Sequence, residues 1–226
     1  MGNSKIQLIL SAIIKIVAGL AIILLLLLLP AGTWFYLGAW RFILLLFIPM
    51  IIMGIAMLIF SPELLHRRLQ SKEKRTTQQG VVALSALIFI LGFVVAALDF
   101  RYGWSHIPNW VILSASILFL FGYGLYAEVM RENIWLSRTI TVEKNQEVIC
   151  SGLYAIVRHP MYTATVVMFL MIPLVLGSYY ALITLLFYIP IIVIRIHDEE
   201  ELLCKELKGY TDYCKDVRWR LIPLIW

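Results

Sequence analysis

The chain has 226 residues, 62% of them hydrophobic and only 15% charged, with a formal net charge of +5 and a mean hydropathy of +0.88. Ordinary soluble domains are nearer half apolar, so this balance excludes one and predicts an all-α integral membrane protein. A span needs about 20 apolar residues, which leaves room for about five to seven spans and no separate soluble domain. The positive charge is expected in loops facing the cytoplasm and anionic lipid, with no nucleic-acid partner.

Hydropathy predicts about six transmembrane helices, near 7–29, 36–60, 81–98, 110–130, 162–176 and 179–196. The first follows Lys5 and Lys15, exceeds a signal-peptide core in length and ends at Pro30, so a retained helix is expected. The second contains Pro49, which a membrane helix tolerates with a kink. The segment Ser61 to Gly80 then carries Arg67, Arg68, Lys72, Lys74 and Arg75. The connection at 99–109 has only Arg101, expected to form a loop ion pair with Asp99. The positive-inside bias therefore assigns 61–80 to the cytoplasm, and with it both termini, 131–161 and the tail from 198. Lys205, Lys208, Lys215, Arg218 and Arg220 in that tail agree. Trp34, Tyr36, Trp40, Trp104, Trp110, Trp219 and Trp226 fall near predicted interfaces and are expected to act as anchors.

Within the fourth span, Gly122-Tyr123-Gly124 lacks the strand–turn–helix setting of a nucleotide loop, and helix packing is the expected role. Asn133 and Ser137 are expected to end and cap that helix. Glu143 to Gln146 reads as a turn between β-prone residues 139–142 and 148–150. Cys150, Cys204 and Cys214 lack metal-ligand spacing, so free thiols and no metal site are expected.

The last two spans form the most informative feature. Arg158-His159-Pro160-Met161-Tyr162 opens an apolar run, and Arg195-Ile196-His197-Asp198-Glu199-Glu200-Glu201 closes it. Thr163 to Ile194 contains no ionisable residue apart from tyrosine. A straight helix would hold the two clusters roughly 50 Å apart. Leu176-Gly177-Ser178, with Pro173 before it, can reverse the chain instead and bring both clusters to one membrane face. Beyond Arg195 the pattern turns amphipathic, predicting a helix that continues into the cytoplasm or lies along the interface.

Arg195 and Glu199 share a helical face, as do His159 and Tyr162. Singly, these residues read as a snorkelling arginine, a solvated acidic stretch and a structural histidine. Gathered at one membrane level they read as a functional site. Pro160 biases His159 towards extended backbone and suits the first helical position. That geometry would leave N–H groups of the helix start to face an anionic group. No Ser-His-Asp set or His-Glu-x-x-His helix appears, so hydrolysis has no support.

Four motif elements occur in order: Gly152 to Tyr162; Arg195-x-x-x-Glu199-Glu200; Gly209-Tyr210-x-x-Tyr213; and Arg220-Leu221-Ile222-Pro223. Together they resemble the isoprenylcysteine carboxyl methyltransferase family, part of a wider group with membrane phospholipid methyltransferases, over roughly 133–226. The resemblance implies S-adenosylmethionine-dependent methyl transfer on a non-Rossmann helical fold. One domain, 1–226, would have its catalytic region at about 133–226. It also implies cofactor contacts at Gln146, Glu147, Val148, Ile149, Tyr154, His159, Pro160, Met161, Tyr162 and Glu199, with Thr141 as a further one. Arg195 corresponds to a substrate-side arginine, and Arg195 and His159 are the residues expected to carry catalysis. The implied partner is a lipophilic methyl acceptor, prenylated-cysteine-like or lipid, reached through the membrane; the oligomeric state stays open.

Residue chemistry favours a carboxylate acceptor. An arginine orients a carboxylate, but it repels the ammonium form of the amine that a phospholipid or other amine N-methyltransferase would use. An NADPH-dependent sterol-type reductase shares an Arg-His-Pro motif but usually continues with Asn-Tyr, where this chain has Met161-Tyr162-Thr163. A transporter or scaffold is disfavoured because there is no internal repeat and the charges gather at one edge.

Overall fold

The computed structural model describes residues 2–69, 76–137, 139 and 142–226, with side chains from Ile6 onward. All regular structure among them is helical: α1 (Gly2–Ala31), α2 (Leu37–Phe60), α3 (Pro62–Leu69), α4 (Thr76–Tyr102), α5 (Asn109–Glu132), α6 (Pro160–Leu176), α7 (Tyr179–Leu186), α8 (Tyr188–Glu206) and α9 (Tyr210–Asp216). Each predicted span has a helix. Among the described residues, five helical stretches are long and apolar enough to cross a membrane, α7 and α8 counting as one from Tyr179 to Glu206. The fifth predicted span, α6, is shorter at 17 residues.

Local chemistry sets the breaks. Gly177 takes φ 91°, a left-handed conformation that costs glycine little, and its N–H and that of Ser178 both close on the Pro173 carbonyl. The Ser178 hydroxyl then accepts from Ala181 N–H as the N-cap of α7, completing the expected reversal. The break between α7 and α8 follows from Pro190, whose ring excludes the carbonyl four residues back, that of Leu186, where α7 stops. Pro30 does not end α1, which runs one residue further, to Ala31.

The helices alternate in direction, so the ends of α1, α4 and α6 gather with the starts of α2, α5 and α7. A core of Leu27, Phe42, Phe93, Phe119, Met168 and Leu185 fills the bundle there and towards its middle. Two expectations fail at this end. Tyr36 is not an interfacial anchor: it is 1% exposed and its hydroxyl donates to the Leu176 carbonyl at 2.8 Å. Asp99 does not form a loop pair with Arg101. It is buried and accepts from Ser105 N–H and Oγ, both at 2.6 Å, and from the Ser178 hydroxyl. Arg101 donates to Pro30 O instead. Both corrections have one cause: these residues lie where three helix ends converge, so their polar atoms satisfy backbone and hydroxyl groups that would otherwise be buried unpaired.

The opposite end holds α3, the start of α4, residues 133–137, 139 and 142–159, and the tail. Two further expectations change here. The β-prone segments form no strand among the described residues. Residues 142–150 run irregularly around the expected turn, with Gln146 N–H on Glu143 O at 3.1 Å and Asn145 at φ 65°. Val142 and Val148 pack on Leu207, Tyr210, Tyr213 and Val217, so side-chain burial replaces strand pairing. The amphipathic segment divides into the end of α8 and a separate α9. Lys72, Lys74, Arg75 and Thr141 lie outside the described residues.

Gly122 packs as expected, whereas Gly124 does not. A Cβ at Gly122 would meet Met168 Cγ at 2.5 Å and Ala164 O at 3.2 Å, while one at Gly124 would meet nothing within 4 Å. Gly122→Val should therefore overpack the α5–α6 contact by about 1–3 kcal/mol. The measurement is thermal unfolding in detergent, with a lowered midpoint for Gly122→Val and an unchanged or raised one for Gly124→Ala.

Candidate functional site

A cavity partly open to solvent is lined by Asn133, Trp135 to Ser137, Thr139 and residues 146–149, together with the start of α6, the end of α8 and α9. Of the residues singled out from the sequence, Gln146, Glu147, Val148, Ile149 and Tyr154 line one side. His159, Met161, Tyr162, Arg195 and Glu199 line another. Pro160 is buried at the first position of α6 and is not part of the wall.

The two clusters meet through one phenol. Tyr162 Oη accepts from Arg195 Nε at 2.9 Å and donates to the Glu199 carboxylate. The Arg195 guanidinium also sits 5.8 Å from the centre of the Tyr162 ring. Glu199 and Arg195, one turn apart on α8, are thus held on the cavity wall by a residue of α6. Behind Arg195, its Nη1 donates to Gln78 Oε1 at 3.0 Å, and Gln78 Nε2 donates to Asp198 at 2.5 Å. Gln78 is fully buried. Its position just before the predicted third span, among Thr76, Thr77 and Gln79, hid it from the sequence reading.

A second constellation lies directly beneath. Glu200 receives Arg158 Nε and Arg220 Nε at 2.7 Å each, and His159 Nε2 lies 3.2 Å from the same carboxylate. Arg158 and Glu200 are both buried. Backbone contacts run alongside: Arg158 N–H donates to Trp219 O and His159 N–H to Arg220 O. The Thr163 hydroxyl donates to Leu221 O at 2.6 Å. The tail is closed on itself by three N–H groups, of Arg220, Leu221 and Ile222, converging on Trp226 O. The sequence motif contained Arg158, Glu200 and Arg220, but nothing in their spacing showed that they share one carboxylate.

The amide cradle expected at the start of α6 is smaller than foreseen. Pro160 has no N–H, and those of Tyr162 and Thr163 bond the His159 carbonyl, which leaves Met161 N–H. The other wall is built by helix ends. Asn133, the C-cap of α5, donates to Tyr154 Oη at 2.9 Å and accepts from Trp135 N–H, so it both ends its helix and lines the cavity. Glu132 accepts from Leu153 N–H at the 3₁₀ turn Gly152–Ala155. Tyr213 Oη donates to Tyr154 O at 2.7 Å. Burial pushes the Tyr154 and Tyr213 hydroxyls well above the ordinary phenol range, so both stay protonated near neutrality. Arg68 reaches in from α3, donating to Ser137 O and lying 3.7 Å from Met161 Sδ. All three cysteines are free, and no cluster of metal-ligating side chains occurs among the described residues.

Two charged groups facing each other across a phenol, in a cavity at the mouth of an apolar bundle, match the motif order read from the sequence. Residues 110–205 match the isoprenylcysteine carboxyl methyltransferase (ICMT) family. The match begins further upstream than the motif resemblance, taking in α5, and stops before Gly209-Tyr210 and Arg220-Leu221. Among curated proteins, none matches this chain. The ICMT family consists of methyltransferases, and the match supports a methyltransferase of the isoprenylcysteine type.

Glu200→Ala would strand Arg158 and Arg220 without their counter-charge. Breaking a buried pair in this way costs about 3–5 kcal/mol. The unfolding midpoint in detergent should fall steeply for Glu200→Ala and stay near wild type for Glu201→Ala, whose carboxylate is exposed on Lys205.

Proposed function

We propose that the protein transfers a methyl group from S-adenosylmethionine to a lipophilic acceptor at the cytoplasmic membrane face, with residues 133–226 as the catalytic region and a prenylcysteine-like carboxylate as the preferred acceptor. The observation that carries this reading is the Tyr162 hydroxyl shared by Arg195 and Glu199 at the cavity wall. It sets a cation suited to an acceptor carboxylate within one helical turn of an anion suited to a donor ammonium.

The donor set fits the cofactor. Glu199 has lone pairs beyond those used by Tyr162 for charge-assisted contacts. Tyr154 and Tyr162 offer aromatic faces, and Gln146 to Ile149 bring irregular backbone with amide and carbonyl groups to the wall. When bound, S-adenosylmethionine supplies an activated methyl group on a sulfonium. Arg195 would orient the acceptor oxygen, held in turn by Gln78 and Tyr162. An ionised carboxylate needs no general base, so the residues have chiefly to align the partners and exclude water. His159, bound to Glu200, would act by keeping the α6 corner in place rather than by moving a proton. The basic character of the site end supports its cytoplasmic placement, with Arg67 and Arg68 on α3 and lysines in the tail.

Titration of purified protein with S-adenosylhomocysteine, and incubation in native lipid extract with a radiolabelled methyl donor, test this directly. No binding and no labelled lipid or lipidated product would reject it. Glu199→Gln should weaken cofactor affinity roughly tenfold to a hundredfold, as loss of a charged hydrogen bond does. Arg195→Ala should lower turnover strongly and change S-adenosylhomocysteine affinity by no more than about threefold. Equal affinity of wild type and Glu199→Gln would remove Glu199 from the donor site.

A further inference from the structure

Val148, Leu203, Leu207 and the rings of Tyr210 and Tyr213 give the cavity an apolar stretch of wall. One polar atom in it has no counterpart. The Tyr210 hydroxyl is buried and has no hydrogen-bond partner among the described residues. Tyr210 as a whole is only 4% exposed. A buried hydroxyl without a partner costs about 1–3 kcal/mol, so such groups are rare and call for an explanation. The neighbouring tyrosines show the contrast: Tyr162, Tyr154 and Tyr213 all have partners for their hydroxyls.

We infer that the Tyr210 hydroxyl is a binding residue of the donor site, giving a hydrogen bond to the nucleoside part of the bound methyl donor. The inference rests on the function proposed above and goes beyond it, since Tyr210 lies outside the residues that match the family. Three observations support it. Tyr210 is one of the residues that line the cavity. The side chains packed with it, Val148, Leu207 and Tyr213, are flat or aliphatic and suit a nucleobase. Burial, followed by the negative charges of Glu200 and Glu199, pushes the hydroxyl far above the ordinary phenol range, so it stays a donor at any physiological pH. The same carboxylates disfavour an anionic partner here and favour a neutral acceptor such as a ribose oxygen or a ring nitrogen. A single hydroxyl in an apolar pocket is how such sites fix orientation.

Tyr210→Phe keeps the ring and deletes only the oxygen. The full-length protein in detergent is titrated with S-adenosylhomocysteine and with methylthioadenosine, which keeps the nucleoside and lacks the amino acid; unfolding is followed without ligand. The expected result is roughly tenfold weaker binding of both compounds by Tyr210→Phe. Its ligand-free unfolding midpoint should equal or exceed that of wild type, because the unsatisfied hydroxyl is gone. Unchanged affinity for both compounds would overturn the inference, as would a lowered ligand-free midpoint with affinity intact, which marks a structural hydroxyl. A loss confined to S-adenosylhomocysteine, or no wild-type binding of methylthioadenosine, would overturn the nucleoside assignment. Wild type binding neither compound would remove the parent reading and this inference with it.

Discussion

The Glu200 carboxylate is the point at which three separate lengths of chain are tied together. Arg158 comes from the approach to α6, Arg220 from the tail and Glu200 from the end of α8, with His159 closing the same oxygen as Arg158. Burying one carboxylate and one guanidinium is unfavourable unless every polar atom finds a partner. Arg158 Nη1 adds to the pairing by donating to Cys214 O and Val217 O. Such an arrangement tolerates little sliding. Because Glu200 is fixed, Glu199 and Arg195 are set by helical geometry on the neighbouring face, towards the cavity.

The other end of the α6–α7 hairpin is fastened by different means. Ser178 caps α7 and donates to Asp99, while Tyr36 takes the Leu176 carbonyl. Short helix α6 is thus held at both ends by polar contacts and in the middle by close packing on α5 at Gly122. Membrane helices gain no hydrophobic drive from associating with one another, so small residues and buried hydrogen bonds take that role. The site-bearing corner of α6 is correspondingly well placed relative to α8.

Around this frame the cavity divides into a polar wall and an apolar one. The polar wall puts opposite charges on the two sides of Tyr162, an arrangement that suits a reaction joining a cationic donor to an anionic acceptor. The apolar wall comes from α8 and α9 and the irregular segment 142–150, which has no regular partner and is shaped by what it packs against. The family match covers the first wall and most of the second but not α9.

Much of the helical layout was legible from hydropathy, because a long apolar run without charges has one low-cost backbone solution in lipid. The reversal at Gly177 and the meeting of His159, Tyr162, Arg195 and Glu199 were also legible, since i,i+3 and i,i+4 spacing and a glycine turn act locally. What composition could not decide was which polar groups pair across the fold. Tyr36 and Asp99 looked like interface residues and proved to be core hydrogen-bonding groups. Gln78 was hidden before the third span, and nothing in the acidic run showed that Glu200 pairs with Arg158 and Arg220. Residues adjacent on a helix point about 100° apart, and only the neighbours packed against each face determine which carboxylate is buried on arginines, which faces the cavity and which meets water.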